Sequence, residues 1–126
     1  MIVLNFSHPL TAEQLDAVAR EAGARVESVL VVRIQLDEAQ DFAPQARAAI
    51  QSADLSPTGW QTRQVVVVLP GYSAVAAVIL AEIHGRSGHF PTIARLRPVA
   101  GSVPTRYELA ELIDLQEIRA HAREAR

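Results

Sequence analysis

The sequence has no cysteine and no lysine, and none of its apolar runs is long enough to span a bilayer. Without cysteine, the chain can form no disulfide, no thiolate metal site and no cysteine nucleophile. A membrane-spanning helix would need roughly 20 consecutive apolar residues, so we expect no membrane segment. The opening "MIVLNF" has no basic segment ahead of it and turns polar at Asn5, which is not the pattern of a secretory signal. We therefore expect a cytoplasmic location.

The common catalytic and cofactor-binding motifs are also absent. There is no GxxxxGK[ST] phosphate loop, no GxGxxG dinucleotide fingerprint, no HExxH and no GxSxG. Of the histidines, only His84 and His89 have a spacing that metal ligands use, and they flank two glycines. We therefore expect no metal site and no bound cofactor. His8 is the one candidate for a catalytic acid or base, because imidazole titrates near neutral pH.

The charge balance argues against general nucleic-acid binding. The formal net charge is −2, whereas proteins that bind DNA or RNA usually show a basic balance. All 12 basic residues are arginine. A GC-rich coding sequence would explain this bias, but each guanidinium is also a planar fork suited to phosphate.

What is present indicates one α/β domain over residues 1–126, large enough to bury a core. The run "RQVVVVLP" is apolar without alternation, as in a parallel strand covered on both faces. Thr11 and Gln14 form a capping box and Gly23 ends the same helix. Strands are predicted at 1–6, 26–36, 63–70, 91–97 and 106–114, and helices at 11–23, 40–53, 71–85 and from 115 onward. This alternation predicts a mostly parallel sheet with helices on both faces, and leaves 54–60 and 98–105 as loops.

Ligands of open α/β sheets bind beyond the carboxyl ends of the strands. This rule selects three loops: Asn5 to His8, Pro70 to Ser73, and Arg97 to Ser102. Gly71, Tyr72 and Ser73 also begin a helix, whose backbone N–H groups favour an anion.

The polar residues of these loops each have a structural alternative. Ser7 and Ser73 either contact a ligand or simply cap a turn or helix. His8 either contacts a ligand or lies in a surface turn. The Asn5 amide either reads the edge of a base or satisfies a neighbouring loop.

The aromatic and basic residues also have two interpretations. Phe6, Tyr72 and Trp60 could stack on bases, or they could belong to the core. Arg95 and Arg97 share one face of their strand, and a solvated edge would explain that pattern as well. Arg97 lies at the carboxyl end and is the better candidate for binding phosphate.

The segment "HGRSGHFP", residues 84–91, follows the third predicted helix. A helix of about 13 residues is ~20 Å long, so this segment should lie at the opposite edge of the sheet from the three loops. Gly85 and Gly88 then serve as helix stops, and Arg86 suits the negative end of the helix dipole. Alternatively, Arg86 and His89 contact a ligand that is shared between two protomers.

Three phrases together resemble a known family: "NFSHPLT", "LPGYS…LAEIHGRSGHFPTIARLRPV" and "YELAEL". They are similar to small accessory proteins of type III CRISPR loci, and the resemblance covers nearly the whole chain. It implies a single Rossmann-like domain akin to CARF domains, which forms a homodimer and binds cyclic oligoadenylate, in particular cyclic tetra-adenylate. No DNA and no membrane partner are implied.

The resemblance also implies roles for individual residues. Backbone N–H groups at Gly71 to Ser73, together with Arg97, would hold phosphates, and Asn5 and Ser7 would reach adenine or ribose. Arg86 and His89 would contribute if the messenger lay sandwiched between dimers. Sequestration of the messenger is the first hypothesis, and a metal-independent ring nuclease using His8 is the second. A dimeric interaction module without nucleotide binding is the third.

Overall fold

The computed structural model describes the whole chain, Met1–Arg126. Five strands and five helices follow one another along it. They are β1 (Ile2–Asn5), α1 (Ala12–Ala22), β2 (Ser28–Val31), α2 (Phe42–Gln51), α3 (Pro57–Thr62), β3 (Val65–Val68), α4 (Ser73–Ser87), β4 (Thr92–Pro98), β5 (Tyr107–Asp114) and α5 (Leu115–Arg123). None of the helices has the length and hydropathy needed to cross a lipid bilayer.

The five strands form one sheet in the order β2-β1-β3-β4-β5. The pairs β1–β2, β1–β3 and β3–β4 are parallel, and β5 is antiparallel to β4. A short loop joins β4 to β5, which permits only the antiparallel arrangement. The predicted α/β fold with a mostly parallel sheet is confirmed, and it is compatible with a single Rossmann-like domain.

The core has two layers, one on each face of the sheet. Val3 of β1 and Val66 of β3 pack with Val18 of α1 on one face. Leu4 and Val67 pack on the other face with the buried residues of α2, α3 and α4. Successive side chains of a strand point to opposite faces, so the valine run of β3 contributes to both layers. Helices therefore cover both faces, as predicted.

The ends of α1 lie where the sequence predicts them. Thr11 accepts a hydrogen bond from the Gln14 N–H, the Gln14 side chain accepts one from the Thr11 N–H, and Gly23 ends the helix at φ 64°. A left-handed φ of this kind favours glycine, because it has no Cβ.

Residues 54–60 differ from the prediction of a plain loop, because residues 57–60 belong to the six-residue helix α3. Ser56 caps α3 by accepting a hydrogen bond from the Gly59 N–H, and Pro57 occupies its first turn. Trp60 anchors the helix, since its side chain is only 3% exposed and packs in the core. The second strand is also shorter than predicted, at Ser28–Val31.

The β4–β5 hairpin extends beyond the rest of the sheet. β3 pairs with β4 only through Thr92 and Ile93, whereas β4 continues to Pro98, which pairs with Tyr107 of β5. Val67 pairs with Ile93 and β3 ends one residue later, so the last four residues of β4, 95–98, pass the end of β3. At 3.3 Å per residue this is a distance of ~13 Å. The hairpin forms a wall at the carboxyl edge.

Candidate functional site

The carboxyl ends of β1 and β3 lie side by side in the sheet. Asn5, the last residue of β1, pairs with Val68, the last residue of β3. β2 lies on one side of β1, and β3 followed by β4 lies on the other, so the strand order changes direction between β1 and β3. Ligands of open α/β sheets bind at such a switch point. The residues that follow β1 and β3 therefore border the candidate site.

Asn5 is completely buried, and its amide is bonded within the loop that follows β1. Its Oδ1 accepts a 2.9 Å hydrogen bond from the Ser7 N–H, and its Nδ2 donates a 2.9 Å bond to the His8 carbonyl oxygen. Of the two interpretations of Asn5, the structure supports the one in which the amide satisfies its neighbouring loop. These bonds fix the backbone and leave the Ser7 and His8 side chains exposed at the edge.

Only one of the three candidate aromatic rings lies at the surface. Phe6 and Trp60 are 6% and 3% exposed and belong to the core, so their rings do not reach a ligand at this edge. Tyr72 is 42% exposed. Its ring packs edge-on against Phe42, with centroids 5.3 Å apart, and its hydroxyl lies 3.5 Å from Glu38 Oε1.

The amino end of α4 lies at the switch point and has no side-chain cap. Tyr72 is the N-cap residue but makes no capping bond, and the first turn contains no acidic residue. The bond from the Ala76 N–H to the Tyr72 carbonyl is 2.9 Å long, so the N–H groups of residues 73–75 precede the helical ladder. Ser73 is the first helical residue rather than the cap. Uncapped N–H groups at the positive end of a 15-residue helix favour an anion.

Arg97 lies at the same edge, but its positive charge is partly neutralised by an ion pair with Glu108. Its Nε lies 3.2 Å from Glu108 Oε1, and Arg95 Nη2 lies 2.7 Å from Glu111 Oε2. These are cross-strand pairs on one face of the β4–β5 hairpin. The side chains of Arg97 and Glu108 are 55% and 48% exposed, so solvent weakens the pair and a phosphate could compete with Glu108.

The remaining residues of the third loop bond to one another. Ser102 Oγ donates to the Val99 carbonyl over 2.7 Å and accepts from the Arg106 N–H over 2.9 Å. Gly101 adopts a φ of 72° in the same turn. This loop therefore forms a closed turn at the end of the hairpin.

The segment 84–91 lies at the amino edge, as chain order predicts. Gly85 is inside α4 rather than a helix stop, and Gly88 ends the helix with a φ of 86°. His89 follows this turn, and its Nδ1 lies 3.1 Å from the Phe90 carbonyl oxygen. Because α4 runs from Ser73 to Ser87, His84 lies ~17 Å and the end of the helix ~21 Å from its first residue. The structure does not bring Arg86 and His89 together with the three loops.

Arg86 bonds to Glu82 of its own helix, and Glu82 in turn joins α4 to α2 through Arg47. Arg47 Nε on α2 lies 2.6 Å from one oxygen of Glu82, and Arg86 Nε lies 3.2 Å from the other. The Glu82 side chain is 17% exposed. The hydrogen bond from Arg47 lowers the pKa of the Glu82 carboxyl, and the bond from Arg86 lowers it further against the effect of burial. Structural bonds therefore occupy Arg86.

A cavity of about 330 Å³ lies beside His89 at the amino edge. Its charged lining is already bonded: Arg63 pairs with Glu27 over 2.5 Å, and Asp114 accepts a 3.0 Å hydrogen bond from the Glu117 N–H at the start of α5. This cavity therefore presents no free charge from either residue.

Arg20 and Arg106 were not singled out by the sequence motifs. Neither guanidinium has a carboxylate partner in the structure. Whether an arginine has a carboxylate partner depends on which residues face each other in the folded protein, and no local sequence pattern specifies this.

No three His, Asp or Glu side chains come together in a group that could hold a metal ion. No protein-family model, curated protein or solved structure matches this chain. The residues and geometry of the carboxyl edge are therefore the basis for a functional proposal.

Proposed function

We propose that this protein binds cyclic tetra-adenylate at the carboxyl edge of its sheet and sequesters it without cleavage. The class of ligand, an anionic nucleotide, is supported by the geometry of the switch point. The identity of the ligand comes from the resemblance of "NFSHPLT", "LPGYS" and "HGRSGHFP" to the accessory proteins of type III CRISPR loci.

The observation that carries the proposal is the uncapped amino end of α4 beside the loop after β1. The N–H groups of residues 73–75 have no side-chain acceptor and no nearby acid in the first turn, so they suit a phosphate. Ser7 and His8 lie in the loop that follows β1, exposed and able to contact ribose or base. Sheets with the strand order 2-1-3-4-5 bind ligands at this position, although fold alone does not specify a ligand.

Sequestration is preferred to cleavage because His8, the one histidine at this edge, has no carboxylate beside it to orient its ring. The His8 imidazole has no hydrogen bond to a carboxylate. Attack of a ribose 2′-hydroxyl on phosphate needs a base and stabilisation of the leaving oxygen, and positioning alone supplies only part of the rate. Ring cleavage would make His8 the first residue to substitute.

A homodimer would suit the symmetry of the ring. A two-fold dimer presents each loop twice, so four phosphates and four adenines could be held in equivalent halves. Arg86 and His89 lie at the other edge and enter the proposal only as contacts from another copy, with the messenger sandwiched between dimers.

The test is a calorimetric titration of the protein with cyclic tetra-adenylate, followed by chromatography of the mixture after one hour in metal-free buffer. Tight binding with an intact ring is the expected result. Linear products would replace sequestration with ring-nuclease activity. Absence of binding would overturn the proposal and leave the interaction-module hypothesis, which gel filtration can examine.

A charge variant tests the position of the site. Ala74→Glu places a carboxylate in the first turn of α4, where the helix dipole tolerates it but a phosphate is repelled. Binding should weaken by at least about tenfold. Ala81→Glu is the matched control, since both alanines are exposed on α4 and only the first lies at the switch point. Equal effects of the two variants would place the ligand elsewhere.

A further inference from the structure

The arginines divide into those paired with a carboxylate and those that are free. Ion pairs engage Arg47, Arg63, Arg86, Arg95 and Arg97. Arg20 and Arg106 belong to the free group, and both line one groove. A guanidinium without a carboxylate partner can bind phosphate without first breaking an ion pair.

This groove, called here the α1–β5 groove, has a volume of about 660 Å³. One wall is the face of α1 that carries Glu13, Ala17 and Arg20, and the other wall is Val99 with residues 105–109. The Gln14 side chain donates a 2.9 Å hydrogen bond to the Tyr107 carbonyl oxygen, which fixes the two walls relative to each other. Ala17 lies between Glu13 and Arg20 on this face of α1 and contributes only a short side chain to the lining.

The α1–β5 groove is lined by aromatic, acidic and basic side chains. The Tyr107 side chain is 53% exposed, so its ring is available for stacking. Glu108 is engaged by Arg97 at 3.2 Å, whereas Glu13 makes no ion pair. Two free guanidiniums, one free carboxylate and one aromatic ring therefore border the same space.

We propose that the α1–β5 groove binds one adenosine of the oligonucleotide together with the phosphates on both sides of its ribose. Arg20 and Arg106 each hold one phosphate, and Tyr107 stacks on adenine. Glu13 accepts a hydrogen bond from the ribose 2′-hydroxyl, as acidic residues do in dinucleotide sites. This inference rests on the proposed function and adds residues that bind the same ligand.

The dimensions agree with such a ligand. Glu13 and Arg20 are seven residues apart on α1, or ~10 Å along the helix axis, which is comparable with one nucleotide. Thr11 also lines the groove and lies three residues after His8, so the groove is close along the chain to the loop that follows β1. A cavity of 660 Å³ is within the usual range for small-molecule sites.

The experiment compares two double variants by calorimetry. Arg20→Gln/Arg106→Gln removes the free charges of the groove, and Arg25→Gln/Arg119→Gln removes two exposed arginines elsewhere. The probes are adenosine 3′,5′-bisphosphate and cyclic tetra-adenylate. We expect the groove variant to bind both probes at least about tenfold more weakly than the control. The salt dependence of binding, log K against log salt, should become shallower by ~1.4 for two lost phosphate contacts.

Different outcomes refute different statements. If the wild type and both variants bind cyclic tetra-adenylate equally, the groove inference is wrong while the proposed function stands. If the wild type binds cyclic tetra-adenylate at no concentration tested, the proposed function fails and the groove inference with it. Tyr107→Leu should weaken binding of the bisphosphate and Tyr107→Phe should preserve it, because stacking requires the ring and not the hydroxyl. Equal loss in both Tyr107 variants would overturn the stacking role.

Discussion

Substitution of Asn5 separates its structural role from a direct contact with ligand. Asn5→Ala removes the bonds to the Ser7 N–H and the His8 carbonyl, both 2.9 Å long. Each is worth a net contribution of ~1 kcal/mol. Ser7 and His8 are exposed, so their freed backbone groups can turn to water and the full penalty for buried polar atoms does not apply. The free energy of unfolding should therefore fall by about 2 kcal/mol.

This loss corresponds to a lowering of Tm by roughly 6–12 °C for a domain of this size. Urea unfolding followed by fluorescence is a suitable assay, because Trp60 is the one tryptophan and is 3% exposed in the folded protein. Asn5→Asp should be less stable still, since it places a carboxylate in a fully buried position against a carbonyl oxygen. Ser7→Ala is the control, because it keeps the N–H that bonds Asn5, and its effect should be within ~0.5 kcal/mol.

Equal stability of Asn5→Ala and Ser7→Ala would refute the structural reasoning. If the Asn5 variant then lost affinity for the nucleotide while unfolding at the wild-type urea concentration, Asn5 would be a ligand contact. A stability loss accompanied by weaker binding is the expected combination, since the exposed Ser7 and His8 side chains depend on the amide for their position.

Three further predictions concern the helices. Glu82→Gln should lower the free energy of unfolding by about 1 kcal/mol at pH 7. Because the hydrogen bond from Arg47 lowers the pKa of Glu82 in the folded protein, this difference should disappear as the pH falls through that lowered pKa, which urea unfolding at several pH values would reveal. Gly85→Ala should stabilise the protein by ~0.5–1 kcal/mol, since Gly85 lies within α4 with open space around it. Gly88→Ala should destabilise the protein by about 1 kcal/mol, because Gly88 has a φ of 86°. Equal changes of the two variants in thermal unfolding would contradict the different roles of the two glycines. Ser56→Ala should cost about 1 kcal/mol through loss of the α3 cap, measured by the same method with Thr58→Ala, at an exposed position of the same helix, for comparison.

Features encoded by neighbouring residues could be predicted from the sequence. The capping box of α1, its glycine end and the start of α5 at Asp114 all depend on bonds between residues three or four positions apart. The valine run of β3 indicated burial on both faces because it has no polar alternation. Helix α3 was missed because six residues are too few to show a helical period, although Ser56 and Pro57 form a recognisable start.

The candidate site depends on contacts that sequence patterns do not specify. The pairing of Arg97 with Glu108 requires the register of β4 against β5, which includes a shift between Arg95 and Leu96. The burial of Asn5 depends on the backbone path of the two residues after it. The position of "HGRSGHFP" at the amino edge did follow from sequence, because the length of a helix fixes the distance between its ends.

The strand order has a consequence for folding kinetics. β1 lies between β2 and β3, and Ile2 pairs with Val65, so the middle of the sheet requires closure of a loop that includes α1, β2, α2 and α3. Parallel pairings between distant segments form slowly, because the entropy of loop closure is lost before the contacts compensate for it. The β4–β5 hairpin is local and can form early. During synthesis, the central sheet therefore cannot form until β3 has been made. Until then, the edge of β1 that pairs with β3 has unpaired backbone N–H and C=O groups, which can pair with another chain and cause aggregation.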